Sequence, residues 1–239
     1  MPSTETTPAL HRLVGRRVLA VLVAALTLVT VVPAAALAAT GAATGRVPAS
    51  RLALSPQGAS FIATFEGFVA TPYNDPGGHC TIGFGHLIHR GPCTDADRAT
   101  WGTITRKRGL AMLRSDADSF AAGLRSRLAT VRLNQGEFDA LVSFTYNIGL
   151  GNFDDSSVKR DLLATPVRYR AVPKHLKLWV YSGGQFLCGL YRRRVNEGHL
   201  FSTGSYRIST PDCPSGATPA TGPQPSSPDR PTVAPGTPT

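Results

Sequence analysis

Phe65-Glu-Gly-Phe-Val-Ala-Thr-Pro-Tyr-Asn-Asp-Pro-Gly-Gly-His-Cys-Thr-Ile-Gly-Phe-Gly-His86 is the stretch on which the reading of this chain turns. Just upstream, Ser55-Pro56 places a good N-cap before a proline at the first helical position. Phe61, Ile62 and Phe65 then share a face at helical spacing, and Gly67 offers a stop. The pattern predicts a helix whose last turn carries Glu66, at the negative end of the helix dipole and between Phe65 and Phe68. Such surroundings favour an uncharged acid, which suits a proton donor.

From Tyr73 to Leu87 the composition changes to Gly, Asn, Asp, Pro and β-formers, which predicts turns and a small antiparallel hairpin. Gly77-Gly78 would make the tight turn, with Thr81-Ile-Gly-Phe-Gly as a short strand. These glycines are a weak signal for phosphate binding, because no Lys-Ser/Thr follows and no helix opens there.

Beyond this stretch the chain reads as helical. Thr105 to Leu128 sets Leu110, Met112, Leu113 and Phe120 among charges. Asn134-Gln-Gly-Glu137 is a capping-box variant ahead of Phe138, Leu141, Val142, Thr145 and Ile148, a face of helical period that stops at Gly149. This is the expected buried central helix, with Phe144 and Tyr146 as packing residues. Val158 to Leu163, Leu176 to Tyr181 and Gly189 to Phe201 are expected to be shorter helices.

The two ends of the 239 residues differ from the middle. Arg12, Arg16 and Arg17 precede an apolar run from Val18 to Val32, then Pro33 and an Ala36-Leu-Ala38 site. A basic start, apolar middle and small-residue finish predict a signal peptide over 1–38; an uncleaved membrane anchor is the alternative. Residues 39–50 read as a linker and 51–209 as one catalytic domain. The tail, 210–239, holds nine of the 19 prolines and too little apolar surface to offset the entropy of ordering. Export, to the medium or the cell wall, is the expected destination.

Net charge is +10, and loss of Arg12, Arg16, Arg17 and Glu5 with the signal segment lowers it to +8. Exported chains rarely meet nucleic acid, so anionic wall polymers are the expected partners of this charge and nucleic acid is not. Cys80, Cys93, Cys188 and Cys213 all follow the signal segment, and an even count in an exported chain predicts disulfides. Four cysteines allow three pairings; Cys80–Cys93 would close a short loop, and Cys188–Cys213 would tie down the start of the tail. A zinc site built from His79, Cys80, His86, His89 and Cys93 is the main rival, opposed by the lack of a CxxC or HExxH pattern. No metal and no other cofactor is expected.

Two carboxylates in different surroundings, Glu66 and Asp75, are what acid-catalysed glycoside cleavage requires. With Gly67, Tyr73, Thr81, Ile82, Gly83, Gly85 and His86, the run Glu-Gly … Tyr-x-Asp … Thr-Ile-Gly-x-Gly-His resembles the phage-type lysozymes, the glycoside hydrolases of T-even and lambdoid phages. Asn134 to Gly149 is similar to that family's central helix. Gly183-Gly184 … Gly189-Leu-Tyr-Arg-Arg-Arg194 with Glu197 and Phe201 is similar to its C-terminal segment. The likeness runs from about Ser55 to Phe201.

The resemblance implies an α+β, predominantly helical fold in two lobes, a small β-hairpin lobe and a larger helical one. It implies a monomeric muramidase that hydrolyses the β-1,4 bond between N-acetylmuramic acid and N-acetylglucosamine in peptidoglycan, with inversion at the anomeric carbon. On it, Glu66 is the general acid, Asp75 activates water or steadies the oxocarbenium-like charge, and Thr81 positions that water. His86 matches the motif histidine and is expected to support the lobe. Arg193 is expected to face the cleft and pair with Glu66 or substrate. Lytic transglycosylation at the same bond and a wall-binding protein without chemistry are the alternatives.

Overall fold

The computed structural model describes residues 45–214. The expected signal segment and the tail beyond Pro214 lie outside the described residues. In chain order the elements are β1 (Val47–Pro48), α1 (Pro56–Ala63), β2 (Val69–Asn74), β3 (Cys80–Gly83), β4 (His86–His89), α2 (Asp95–Trp101) and α3 (Arg106–Arg127). They continue with β5 (Arg132–Leu133), α4 (Gln135–Ile148), α5 (Leu150–Asp155), α6 (Ser157–Leu163), α7 (Val172–Leu176), β6 (Tyr181–Ser182), β7 (Gln185–Phe186) and α8 (Cys188–Thr203). Among the described residues no helix is long and apolar enough to cross a membrane.

The core is built around α4. Nearly every one of its residues is buried, including Phe138, Leu141, Val142, Phe144 and Ile148. A helix buried all round must sit inside the other elements, and α1, α3 and α8 pack on it. Its start is the expected capping box: Asn134 Oδ1 accepts from Glu137 N at 2.8 Å, and a Glu137 carboxylate oxygen accepts from Asn134 N at 2.9 Å. Phe144 meets Trp179 edge to face and Tyr146 meets Phe120 in the same way, so both aromatics pack inward as expected.

The small β region is a three-stranded antiparallel sheet in the order β2-β3-β4, one strand more than a hairpin. Val69 lies opposite Gly83 and Tyr73 opposite Thr81, so four steps along β2 match two along β3. The surplus is a bulge containing Pro72, which has no N–H to give to a ladder. The bulge bends β2 and shortens the span between its two ends. The sheet packs on α3, where Gly109 lets Phe68 approach: a Cβ there would stand 2.7 Å from the Phe68 ring.

Several expectations need correction. The helix before Glu66 ends at Ala63, with Thr64 as its C-cap, so Glu66 lies beyond the last turn and the helix dipole is not its main electrostatic neighbour. Leu176 to Tyr181 is not a helix: α7 ends at Leu176, and Tyr181 begins a two-stranded ribbon turned by Gly183 and Gly184, both at positive φ. Within the 39–50 segment, residues 46–49 contact the body of the protein. Val47 pairs with Leu133, Ala49 is fully buried, and Arg46 makes a bidentate bond to buried Glu137. The segment after α8 is likewise bound to the body: Asn196 bonds Ser209 through both its amide atoms, and Arg192 Nε donates to Pro211 O at 3.1 Å. The cysteines pair as Cys80–Cys93 and Cys188–Cys213.

Candidate active site

The predicted residues fall into three local groups: Glu66 with Arg193, Asp75 with Thr81, and His86 with Asp116. Glu66 stands in the short bend between α1 and β2, with its side chain 13% exposed. Its Oε1 accepts from Arg193 Nη1 at 2.8 Å, a contact between residues 127 apart in sequence. Arg193 lies in the second turn of α8 and is itself buried. Its fork is fully used: Nε donates to Glu197 Oε1 at 3.1 Å and Nη2 to the Ser143 carbonyl of α4 at 3.0 Å. The guanidinium also lies 5.2 Å from the centre of the Phe65 ring.

Burial opposes the charge on Arg193, but Glu66 and Glu197 more than offset it and leave its pKa above the usual arginine range. Next to it, Arg194 is also fully buried, and desolvation lowers its pKa to about 10 despite Glu197. Arg194 Nη2 donates to Asn147 Oδ1 at 2.7 Å, and its Nε stands 3.0 Å from Glu197 Oε2. Ser143 Oγ completes the network with a 2.7 Å bond to Glu197 Oε1. Two arginines and two glutamates thus form a desolvated cluster that fixes where the Glu66 carboxyl sits.

Asp75 follows β2 directly and opens a tight turn. Gly78 N donates to Asp75 O at 2.8 Å, and Gly78 has φ +76°, a conformation that requires glycine. The carboxylate Oδ1 accepts from His79 N at 2.9 Å, while Asp75 N donates to His79 O. Thr81, 1% exposed on β3, donates its hydroxyl proton to that same His79 carbonyl at 3.1 Å. The backbone of His79 therefore joins Asp75 to Thr81. With its proton committed there, Thr81 Oγ1 faces any further partner as an acceptor.

His86 begins β4 and points Nδ1 at Asp116 of α3, 2.9 Å from Oδ2. Its ring also lies 6.1 Å from that of Trp101. This pair fastens the sheet to the long helix. The structure therefore brings Arg193 onto Glu66, links Asp75 to Thr81, and turns His86 toward α3. Sequence reading missed Ser143, Arg194, Glu197 and Asp116 as supports. The i, i+4 spacing of Arg193 and Glu197 on a predicted helix was a usable signal; Asp116 had none. For zinc, Cys80 and Cys93 are spent on a disulfide and His86 is held by Asp116.

The phage lysozyme family profile matches residues 63–197, which spans every residue of this constellation. The chain belongs to the phage lysozyme family. It is 36% identical to the endolysin of Bacillus phage PZA over 154 residues, covering 64% of this chain and 56% of that protein. It is 33% identical to the endolysin of Salmonella phage P22 over 148 residues, covering 62% of this chain and 97% of that one. The chain spans little more than half the length of the PZA relative. Among solved structures, the muramidase domain of SpmX from Asticaccaulis excentricus superposes with a TM-score of 0.53 at 30% identity, covering 63% of this chain and 98% of that domain. The lysozyme-like, predominantly helical α+β fold of this phage lysozyme follows.

Proposed function

We propose that this phage lysozyme is a muramidase that hydrolyses the β-1,4 bond between N-acetylmuramic acid and N-acetylglucosamine in peptidoglycan. The observation that carries the reading is the Glu66 carboxyl held at 2.8 Å by a buried arginine, within a family match that also contains Asp75 and Thr81. In this reading Glu66 is the general acid, and it must carry a proton against the pull of Arg193 to pass it to the leaving glycosidic oxygen. Asp75 stays anionic across the sugar and steadies positive charge at the anomeric carbon. Thr81, its own proton given to His79 O, accepts a hydrogen bond from the attacking water and orients it. His86 and Arg193 are supports of this arrangement.

The enzyme would act outside the cytoplasm as a monomer, after export through the N-terminal segment, with the basic excess drawing it to anionic wall polymers. Mass analysis of muropeptides after digestion tests the chemistry. Reducing N-acetylmuramic ends are expected. Anhydro ends would assign lytic transglycosylation instead, and intact glycan with cut peptides would refute glycosidase action. N-terminal sequencing of exported protein should find a start near Ala39; an intact N-terminus would replace the signal peptide with an anchor.

A further inference from the structure

The loop that carries Cys93 is tied to β3 by the Cys80–Cys93 bond and by Cys80 N donating to Gly91 O, and it gathers four groups that the proposed reaction does not use. Cys80 on β3 is the direct cross-strand partner of His89 on β4, so the two side chains share a face of the sheet. Asp97, in the first turn of α2, reaches the same spot: His89 Nε2 and Asp97 Oδ2 are 2.9 Å apart. The Sγ of Cys80, a ring nitrogen of His89 and a carboxylate oxygen of Asp97 all lie within 4.8 Å of one another. Cys93 brings a second sulfur to this point through its bond to Cys80.

We propose that reduction of the Cys80–Cys93 bond opens a divalent-metal site of two thiolates, His89 and Asp97, suited to zinc. Two sulfurs, one imidazole and one carboxylate are a normal tetrahedral zinc set. Bonds of about 2.0–2.1 Å to nitrogen and oxygen place such ligand atoms roughly 3.3 Å apart, close to the His89–Asp97 separation.

The imidazole is already aimed. Its Nδ1 sits 3.0 Å from the carbonyl oxygen of Arg90 and its Nε2 faces the Asp97 carboxylate, so both nitrogens look at acceptors. A neutral ring that donates from Nδ1 to the carbonyl leaves the Nε2 lone pair against an anion. A proton there makes the ion pair seen with Asp97; a metal cation would take the place of that proton, with the carbonyl bond as the outer contact that metal-bound histidines commonly make. Asp97 is in turn fixed by Thr94, whose N and Oγ1 donate to Oδ2 at 2.7 and 2.6 Å. Of the other nearby candidates, His86 is held by Asp116, and His79 Nδ1 accepts from Gly91 N at 3.2 Å.

The redox step is a simple exchange. A dithiol reductant gives two electrons and two protons to the Cys80–Cys93 bond and becomes a disulfide itself, leaving two thiols. Zinc then displaces both thiol protons. Oxidation reverses the sequence and expels the metal, because a disulfide sulfur is not a thiolate. The site would exist in a reducing compartment and close in an oxidising one.

The test uses the full chain carrying Cys188→Ser and Cys213→Ser, so that only one disulfide remains. The protein is reduced with a trialkylphosphine, which takes oxygen from water to become its oxide, and the excess is removed under anaerobic conditions before metal is added. It is then titrated with zinc, and with cobalt(II) as a spectroscopic probe. One equivalent is expected to bind the reduced form, with thiolate-to-cobalt charge-transfer and tetrahedral d–d bands, and none the oxidised form. His89→Ala and Asp97→Asn should each weaken zinc binding by on the order of 10–100-fold or more. The proposal is overturned by equal binding in both redox states, by unchanged affinity in both variants, or by a folded reduced protein that binds no metal. Loss of the native circular dichroism on reduction overturns it as well, since the site needs β3 and β4 in register.

Discussion

Arg193 and Glu66 meet at 2.8 Å although 127 residues separate them, and the arginine is almost entirely removed from water. A charge so placed is tolerated only with its partners, here Glu66, Glu197 and the Ser143 carbonyl. The pair connects the bend before the sheet to the last helix, and so the proposed proton donor to the core.

Removing the cation should therefore damage both stability and chemistry. Arg193→Met is expected to lose about 3–5 kcal/mol in urea denaturation, because Glu66 and Glu197 lose the buried cation they share. Arg193→Lys should recover part of the stability but not the three-way fork, with kcat falling more than substrate affinity. Wild-type stability in Arg193→Met would contradict the network.

For the proposed acid itself, Glu66→Gln should keep the fold and lose at least roughly 10²-fold in cell-wall turnover, the usual share of general acid catalysis. Turbidity loss of purified walls, alongside a thermal melt, separates chemistry from folding. Undiminished clearing by the variant would remove Glu66 from the mechanism.

Asp139 of α4 offers a pH test. It is fully buried, accepts from Ser55 N at 3.1 Å, Ser55 Oγ, Tyr206 OH and Gln135 Nε2, and has its pKa raised, chiefly by burial and against those bonds. The protonated form is thus more favoured in the folded state than in the unfolded one. Its stabilisation is fully present below the ordinary aspartate pKa, near 3.9, and is lost as pH rises through the raised folded value. The advantage of wild type over Asp139→Asn should shrink as pH rises from about 4 through the raised folded value. A gap that widens over that range in urea titrations would reverse the assignment.

Gly58 is where α1 touches α4. A Cβ there would stand 2.5 Å from Asp139 Cγ, closer than packed atoms allow. Gly58→Ala should cost about 1–3 kcal/mol through overpacking, although alanine is the better helix former. A neutral or stabilising effect in thermal denaturation would show that α1 can move aside.

The fastening of sheet to helix can be examined at His86 and Asp116. Asp116→Asn is expected to lower stability by about 1 kcal/mol, with little change in the far-ultraviolet spectrum. Hydrogen exchange at β3 and β4 should rise more than at α4, since the lost bond holds the sheet and not the core.

Much of the fold was legible because its signals are local. Ser55-Pro56 and Asn134 cap helices where expected, since a capping side chain needs only the amides two or three residues ahead. The burial of the apolar face of α4 was likewise legible, whereas the burial of Glu137, Asp139 and Ser143 was not. The helix boundary at Ala63 was misread because Phe65 continues the apolar spacing after the backbone has left the helix. Leu176 to Tyr181 failed for a similar reason: apolar residues at helical spacing are also compatible with a turn followed by a short strand. The capping box of α2, Thr94 with Asp97, was present in the sequence and passed over.

The sequence alone determined which groups are available: a glutamate, an aspartate and a threonine at fixed intervals around a glycine-rich turn, with four cysteines placed after the N-terminal segment. Chain connectivity settles those matters, because turns, caps and spacings act within a few residues. Only the tertiary structure decided what each group touches. It joined Cys80 to Cys93 and Cys188 to Cys213, tied Asp75 to Thr81 through His79, and buried two arginines against two glutamates. Desolvation and long-range pairing depend on which surfaces pack together, and no local pattern records that.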